Sequence, residues 1–259
     1  CDSAMILITD FDERSFLKIK QEIPEVVYSK HVADAQIIAL IWSKFNPARC
    51  PSLRYVVNAS VGTNHLNLSS LLQRRVTVLS IPHYCIEEVS DYVVDKVKRS
   101  FYLSRNIALV GEGSIGKAVR EKLLGGYSVR ILHHDSSENE IKEVFEKSSI
   151  ISLHMPLTKE SKDWLNSRRI GYIKEAVIIN TSRSAEIDEA ALLEGIRSGK
   201  VLHAYLDVIG NRNLTSEKNI SYTHHRAWKS EKSVELRLRY TMEKIKVARD
   251  ALLTNSKQV

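Results

Sequence analysis

Short runs of branched apolar residues alternate with amphipathic segments along the whole chain, and this alternation constrains the fold more than any other feature. Met5 to Ile8, Ile37 to Trp42, Tyr55 to Asn58 and Val76 to Ser80 make a first series. Ile107 to Val110, Val129 to His133, Ile150 to Leu153, Val177 to Asn180 and Val201 to Leu206 make a second. Strands that alternate with helical patterns imply βα units and a parallel sheet, and near-continuous apolarity within each run suits strands covered on both faces. The pattern therefore predicts an α/β protein. A last periodic stretch, Glu231 to Leu253, reads as a closing helix.

A chain of 259 residues exceeds one minimal core and suits two modest domains. No repeat, low-complexity tract or Pro/Gly-rich linker is visible, so the junction is expected in a helix, with Ile86 to Arg99 the candidate. Hydrophobic residues make up 43% and charged residues 27%, the balance of a globular protein with a real core. The net charge of +7 is a mild surplus unaccompanied by any helix-turn-helix, zinc or RNP-type signature, so no nucleic acid is expected as a partner. Cys1, Cys50 and Cys85 are an odd count without CxxC spacing, which argues against a disulfide framework and a metal site and fits a reducing compartment. Without an apolar run of membrane length or a leader pattern, the expectation is a cytoplasmic protein with no membrane partner.

The most specific local signal follows the strand Ile107 to Val110. Gly111-Glu112-Gly113-Ser114-Ile115-Gly116 leads into a pattern with Ile115, Ala118, Val119 and Leu123 on one face. In a dinucleotide fingerprint the first glycine permits the tight turn, the second lets backbone approach the pyrophosphate, and the third lets helix and strand pack closely. Ser114 and Ile115 then offer helix N-terminal amides to phosphate. Asp135, nineteen residues beyond Gly116 at the end of the next strand, is placed to accept hydrogen bonds from the adenosine ribose. Its neighbours Ser136, Ser137, Glu138 and Glu140 include no arginine to clasp a 2′-phosphate, which favours NAD over NADP.

From Ser148 to Val208 the chain resembles the D-2-hydroxyacid dehydrogenases, a family that includes phosphoglycerate, glycerate and D-lactate dehydrogenases and hydroxypyruvate reductases. The matching residues are Ser152 to Thr158 (SLHMPLT), Ile179 to Arg183 (INTSR), Asp188 to Leu193 (DEAALL), Ser198-Gly199-Lys200 and Leu206-Asp207-Val208. Weaker echoes are Val61 to Leu66 (VGTNHL), similar to the loop that holds the substrate carboxylate, and Thr223 to Trp228 (THHRAW), similar to the family's TPHxAW segment. The resemblance implies two Rossmann-like or flavodoxin-like parallel-sheet domains with an inter-domain cleft. Residues 1–88 plus 236–259 would form the substrate domain and 89–235 the NAD-binding domain. It further implies that Arg183 binds the carboxylate and keto oxygen of a small 2-oxo acid, that His225 is the acid/base, and that the backbone around Val61 and Gly62 holds the carboxylate. Pro156, Thr158, Thr181, Ser182 and Asp207 fall on the cofactor side, with Asp207 contacting the nicotinamide carboxamide.

The chemistry is coherent in itself. A planar guanidinium grips a carboxylate through two parallel hydrogen bonds, which lysine cannot do. An imidazole titrates near neutrality and can pass a proton in either direction.

Departures from the family also stand in the sequence. The family's triad carries a glutamate five residues after the Asp of its Asp-Val pair, followed by proline; here Arg212 and Asn213 occupy those places. Three readings are open: Glu217 supplies the carboxylate from a shorter loop, the histidine works unassisted, or the protein binds NAD as a regulatory or interaction protein with little turnover. Ser60 replaces the glycine before the carboxylate loop, and Ser184 replaces the glycine after Arg183. Only about fifteen residues separate Asp91 from Ile107, so the arm used by family homodimers is shortened and a homodimer is an open expectation.

Overall fold

The computed structural model describes residues 5–29, 33–81, 83–100, 102–210, 214 and 216–255. Arg212 and Asn213 lie outside the described residues. The chain divides into two compact units, Cys1–Tyr84 with Ser230–Val259, and Cys85–Lys229. The divisions thus fall at 84/85 and 229/230, where the sequence reading set them at 88/89 and 235/236.

The first unit is a five-stranded parallel sheet in the order β2-β1-β3-β4-β5. Its strands are β1 (Ile6–Ile8), β2 (Val26–Tyr28), β3 (Ile37–Leu40), β4 (Tyr55–Asn58) and β5 (Thr77–Ser80). That is the flavodoxin-like order. Ile6, Ile8, Ile37, Ile38, Ala39 and Leu40 are all fully buried, because helices lie over both faces of the sheet. α1 (Glu13–Glu22) starts where the Asp12 carboxylate accepts from the Ser15 amide, satisfying one of the four free donors of a helix start. The closing helix, α8 (Glu231–Asn255), buries Leu238, Ile245 and Ala248.

The second unit is a six-stranded, all-parallel sheet in the order β11-β10-β9-β8-β6-β7. Its strands are β6 (Asn106–Val110), β7 (Ser128–Leu132), β8 (Ile150–Leu153), β9 (Ala176–Asn180), β10 (Val201–Leu206) and β11 (Ile220–Tyr222). Successive side chains of a strand point to opposite faces, and two cores result. Ala108, Val110, Ile151, Leu153 and Ile178 pack on one side with Phe145 and Trp164. Ile107, Leu109, Ile150, Val177 and Ile179 pack on the other with Val93 and Val97 of α3 (Ile86–Arg99). The remaining helices of this unit are α4 (Ser114–Leu123), α5 (Glu138–Lys147), α6 (Ser167–Tyr172) and α7 (Glu189–Arg197).

After β6 the chain moves outward to β7, then crosses back so that β8 lies on the other side of β6. This reversal opens a crevice at the carboxyl ends of β6 and β8, which is where open α/β sheets bind ligands. Two edge strands, β2 and β11, have no counterpart in the sequence reading. Each is three residues long with two of the three exposed, too short and too wet to carry a period. No described helix is long and apolar enough to cross a membrane.

Candidate functional site

The phosphate loop follows β6. Gly111 has φ +102, and a Cβ there would lie 2.8 Å from the carbonyl carbon and oxygen of His154. Only glycine suits this backbone at so close an approach. At Gly116 a Cβ would stand 2.3 Å from the Gly111 carbonyl oxygen. At Gly113 nothing lies within 4 Å, so the loop is open where a ligand would approach. α4 begins at Gly113 with no side-chain cap, leaving the first amides of the helix to point outward. Tight packing at Gly111 and Gly116, open space at Gly113 and an uncapped helix start fit a dinucleotide pyrophosphate.

Gly116→Ala is expected to force α4 away from the end of β6. It should destabilise the protein by about 2 kcal/mol or more and weaken NADH binding. Thermal unfolding and an NADH fluorescence titration check this, and wild-type values in both would overturn the close-packing argument.

Asp135 sits in the turn after β7 with its side chain 74% exposed, available to a ligand rather than bound into the fold. The turn itself is braced: the Trp164 indole Nε1 donates to the His134 carbonyl at 2.9 Å. The Arg169 guanidinium lies over the Trp164 ring, 4.2 Å from its centroid, and donates to Glu138. After β8, Ser161 Oγ joins the Pro156 carbonyl at 2.8 Å and the Thr158 amide at 2.8 Å, fixing the loop that carries both. His154 is buried; its Nε2 lies 2.9 Å from Ser152 Oγ and burial pulls its pKa down to about 4, so it packs the crevice as a neutral ring.

Arg183 stands at the carboxyl end of β9. Asn180 is fully buried and organises the loop: its Nδ2 donates to the Arg183 carbonyl at 2.9 Å, and its Oδ1 accepts from the Ser182 amide at 2.9 Å. Ser182 Oγ reaches back to the Leu153 carbonyl at 3.1 Å, and Thr181 is buried beside it. Asn180 also receives the Asp207 amide on its carbonyl at 2.9 Å, which ties the ends of β9 and β10 together.

Asp207, 2% exposed, holds the loop that carries His225. Its Oδ1 accepts from Thr223 Oγ1 at 2.5 Å, from the Arg226 amide at 2.8 Å and from the Ala227 amide at 3.0 Å. Its own carbonyl takes the His225 amide at 2.7 Å. His225 adopts φ +53, an uncommon conformation for a residue with a side chain and one held only where surroundings over-determine it. Burial lowers the imidazole pKa below its ordinary value of 6.5; Asp207 acts against this and Arg183 adds to it. Arg183 and Asp207 thus both lie within electrostatic reach of His225.

Glu217 lies on the approach to β11, its amide on the Leu214 carbonyl, and is not one of the groups whose field shifts His225. In the first unit, the Val61–Gly62 loop follows β4. Ser60 and Asn58, both fully buried, knit it: Ser60 Oγ donates to the Gly62 carbonyl at 2.8 Å, and Asn58 Nδ2 donates to the Ser60 carbonyl at 2.9 Å. The serine that replaces the expected glycine thus fastens the loop. Val61 itself is exposed.

One residue of this region was not singled out from the sequence. Glu186, on the single 3-10 turn that follows Arg183, is fully buried with neither carboxylate oxygen hydrogen-bonded. An acid in an otherwise ordinary Ser-Ala-Glu-Ile stretch carries no sequence signal of burial. Among the described residues no group of three or more His, Cys, Asp or Glu side chains could hold a metal ion.

The model of the D-isomer specific 2-hydroxyacid dehydrogenase NAD binding domain matches residues 95–231. The D-specific alpha-keto acid dehydrogenase of Enterococcus faecalis is 27% identical over 215 residues, covering 71% of this chain and 64% of that protein. The aromatic 2-oxoacid reductase of Clostridium sporogenes is 30% identical over 190 residues, covering 60% of this chain and 57% of that protein. The chain spans less than two thirds of the length of these curated relatives. The D-lactate dehydrogenase of Aquifex aeolicus, solved with NAD and lactic acid, shares the fold with a TM-score of 0.81 at 20% identity, covering 98% of each chain. With the family model matching more than half of its residues, across the phosphate loop, Asp135, Arg183, Asp207 and His225, the chain belongs to the D-isomer specific 2-hydroxyacid dehydrogenases and carries their NAD-binding domain.

Proposed function

We propose that this protein is an NAD-dependent oxidoreductase that interconverts a small 2-oxo acid and its D-2-hydroxy acid. The observation that carries the reading is the grouping of Arg183, Asp207 and His225 at the carboxyl ends of β9 and β10, in the same unit as the phosphate loop. Gly111, Gly113, Gly116 and the first amides of α4 would hold the pyrophosphate, and Asp135 the adenosine ribose. When bound, NADH supplies the hydride that becomes the new C–H bond of the hydroxy acid.

The protein's own residues do the rest. Arg183 pairs with the substrate carboxylate and polarises the keto oxygen. His225, as imidazolium, delivers a proton to that oxygen as negative charge develops on it, and takes it back in the reverse direction. Asp207 fixes the His225 loop and favours the charged ring. In the first unit, the amides around Val61 and Gly62 offer hydrogen bonds to a carboxylate. The division into a substrate unit and an NAD unit follows the same reading.

The test is NADH absorbance with glyoxylate, hydroxypyruvate, pyruvate and larger 2-oxo acids from about pH 5 to 8. NADH binding without oxidation of NADH by any of them would replace the enzyme by an NAD-responsive binding protein. The pH profile is a further expectation. Ketone reduction needs the imidazolium, and the His225 pKa is lowered in the free protein, so kcat/KM for reduction should be full on the acid side and decline at a pH below the ordinary histidine value of 6.5. Oxidation of the hydroxy acid, which needs the neutral ring, should gain over the same window. A reduction limb above neutral pH would mean that another group, such as Glu217, supports His225.

A further inference from the structure

The chain neighbours of Asp135 include no arginine, yet the fold brings two to its turn from a separate helix. Arg168 and Arg169 lie on α6, and both meet Glu138, the first residue of α5, three positions after Asp135. Their cluster and the Asp135 turn are joined: the Trp164 indole Nε1 donates to the carbonyl of His134, next to Asp135, and the Arg169 guanidinium lies over the Trp164 ring.

The two arginines are held differently. The Arg169 side chain is 14% exposed, and all three of its guanidinium nitrogens are engaged. Nε and Nη2 donate to Glu138 Oε1 at 3.0 and 2.7 Å, and Nη1 donates to the Trp164 carbonyl at 2.9 Å. Arg168 is the outward member, with its side chain 68% exposed. Its Nε donates to the Tyr172 hydroxyl at 2.8 Å and stands 3.6 Å from Glu138 Oε2, which accepts from the same hydroxyl at 3.1 Å. Arg169 is thus committed to the fold, whereas Arg168 is kept by one hydroxyl and by the field of Glu138.

A dinucleotide with a 2′-phosphate brings about two negative charges to the ribose. An arginine fork suits such a group, and an aspartate at the ribose opposes it. Glu138 adds a second carboxylate to the opposition and also occupies the exposed guanidinium nearby. We infer that Glu138 is a cofactor-specificity residue, which withholds Arg168 from a 2′-phosphate and so reserves the site for NAD over NADP. The inference rests on Asp135 facing the adenosine ribose, as in the proposed function. It requires that neutralising Glu138 admit the phosphate even with Asp135 left in place. NADH and NADPH differ only by that phosphate, so the ratio of their affinities cancels any effect of Glu138 on the rest of the nucleotide.

The probes are NADH and NADPH, titrated into the full chain by nucleotide fluorescence at about 0.05 M salt, where exposed charges are less screened. The wild type should bind NADH more tightly. In Glu138→Gln, which keeps the shape and loses the charge, the Kd for NADPH should fall about tenfold while that for NADH stays within about twofold. Glu138→Gln/Arg168→Gln should lose this gain. Glu138→Gln/Arg169→Met, which removes the less exposed ion pair whole, serves should the single variant not fold. It keeps Arg168 and should show the same gain. If NADH binds and every variant keeps the wild-type ratio of the two affinities, the inference fails while the proposed function stands. A gain that survives the loss of Arg168 also overturns it, because removal of a negative charge would then suffice. If the wild type binds NADH in no condition, the proposed function fails and takes the inference with it.

Discussion

Alanine at position 183 is expected to lower kcat/KM for a 2-oxo acid by about 10³-fold or more while leaving NADH affinity within about twofold. The size follows from what Arg183 provides. It offers a two-pronged, charge-assisted grip on the carboxylate together with polarisation of the carbonyl, and the second of these strengthens only as charge develops on oxygen. Arg183→Lys keeps the charge and loses the fork, so an intermediate loss of about 10²-fold is expected. Steady-state kinetics and an NADH titration on the same preparations decide the matter. Equal losses of NADH affinity and turnover would make Arg183 part of the cofactor site or of the fold instead. The residue's own setting favours the first outcome, because Asn180 and Ser182 hold the loop by its backbone and would keep it in place after truncation.

Asp207→Ala should give the largest loss of stability of any single change in the second unit, about 3–5 kcal/mol. A single buried oxygen takes three donors, and its removal leaves the Thr223 hydroxyl and the Arg226 and Ala227 amides without an acceptor. For a unit of this size that corresponds to a fall in Tm of about 10 °C. It also frees His225 from its left-handed backbone, so activity should go with it. Asp207→Asn separates structure from electrostatics. The amide oxygen can still accept these bonds, so most of the stability should return. The negative charge that supports His225 is gone, so its pKa should drop further and the reduction limb should move to still lower pH. Calorimetric melting with a pH–rate profile for each variant reads both effects. An Asp207→Asn protein with a wild-type pH limb would show that the carboxylate's charge does not reach the imidazole.

Where function is concerned, the residues were legible one at a time and their relations were not. Gly111, Gly113 and Gly116 announce themselves because the backbone needs of a phosphate loop are written in residue type, and a Cβ at the first or third would collide with backbone. Arg183 and His225 were legible through the motifs around them. Asp207 was legible as a residue, and its structural partners were not. Its described contacts hold the Thr223 to Ala227 loop, sixteen and more residues further on, a relation that no motif writes. The serine at position 60 read as a departure, and in three dimensions it is a fastener of the loop it borders.

The sequence by itself determined the α/β class, the main strands of each series, the helix Ile86–Arg99 to the residue, and the place of the phosphate loop. These are properties of local periodicity and of glycine's backbone freedom, which act over a few neighbouring residues. The tertiary structure alone decided the strand orders, the two edge strands β2 and β11, and the burial of Glu186. The pKa directions of His225 and Glu186 belong there too, because desolvation and Coulomb fields depend on which distant segments exclude water from a group, and no local pattern encodes that.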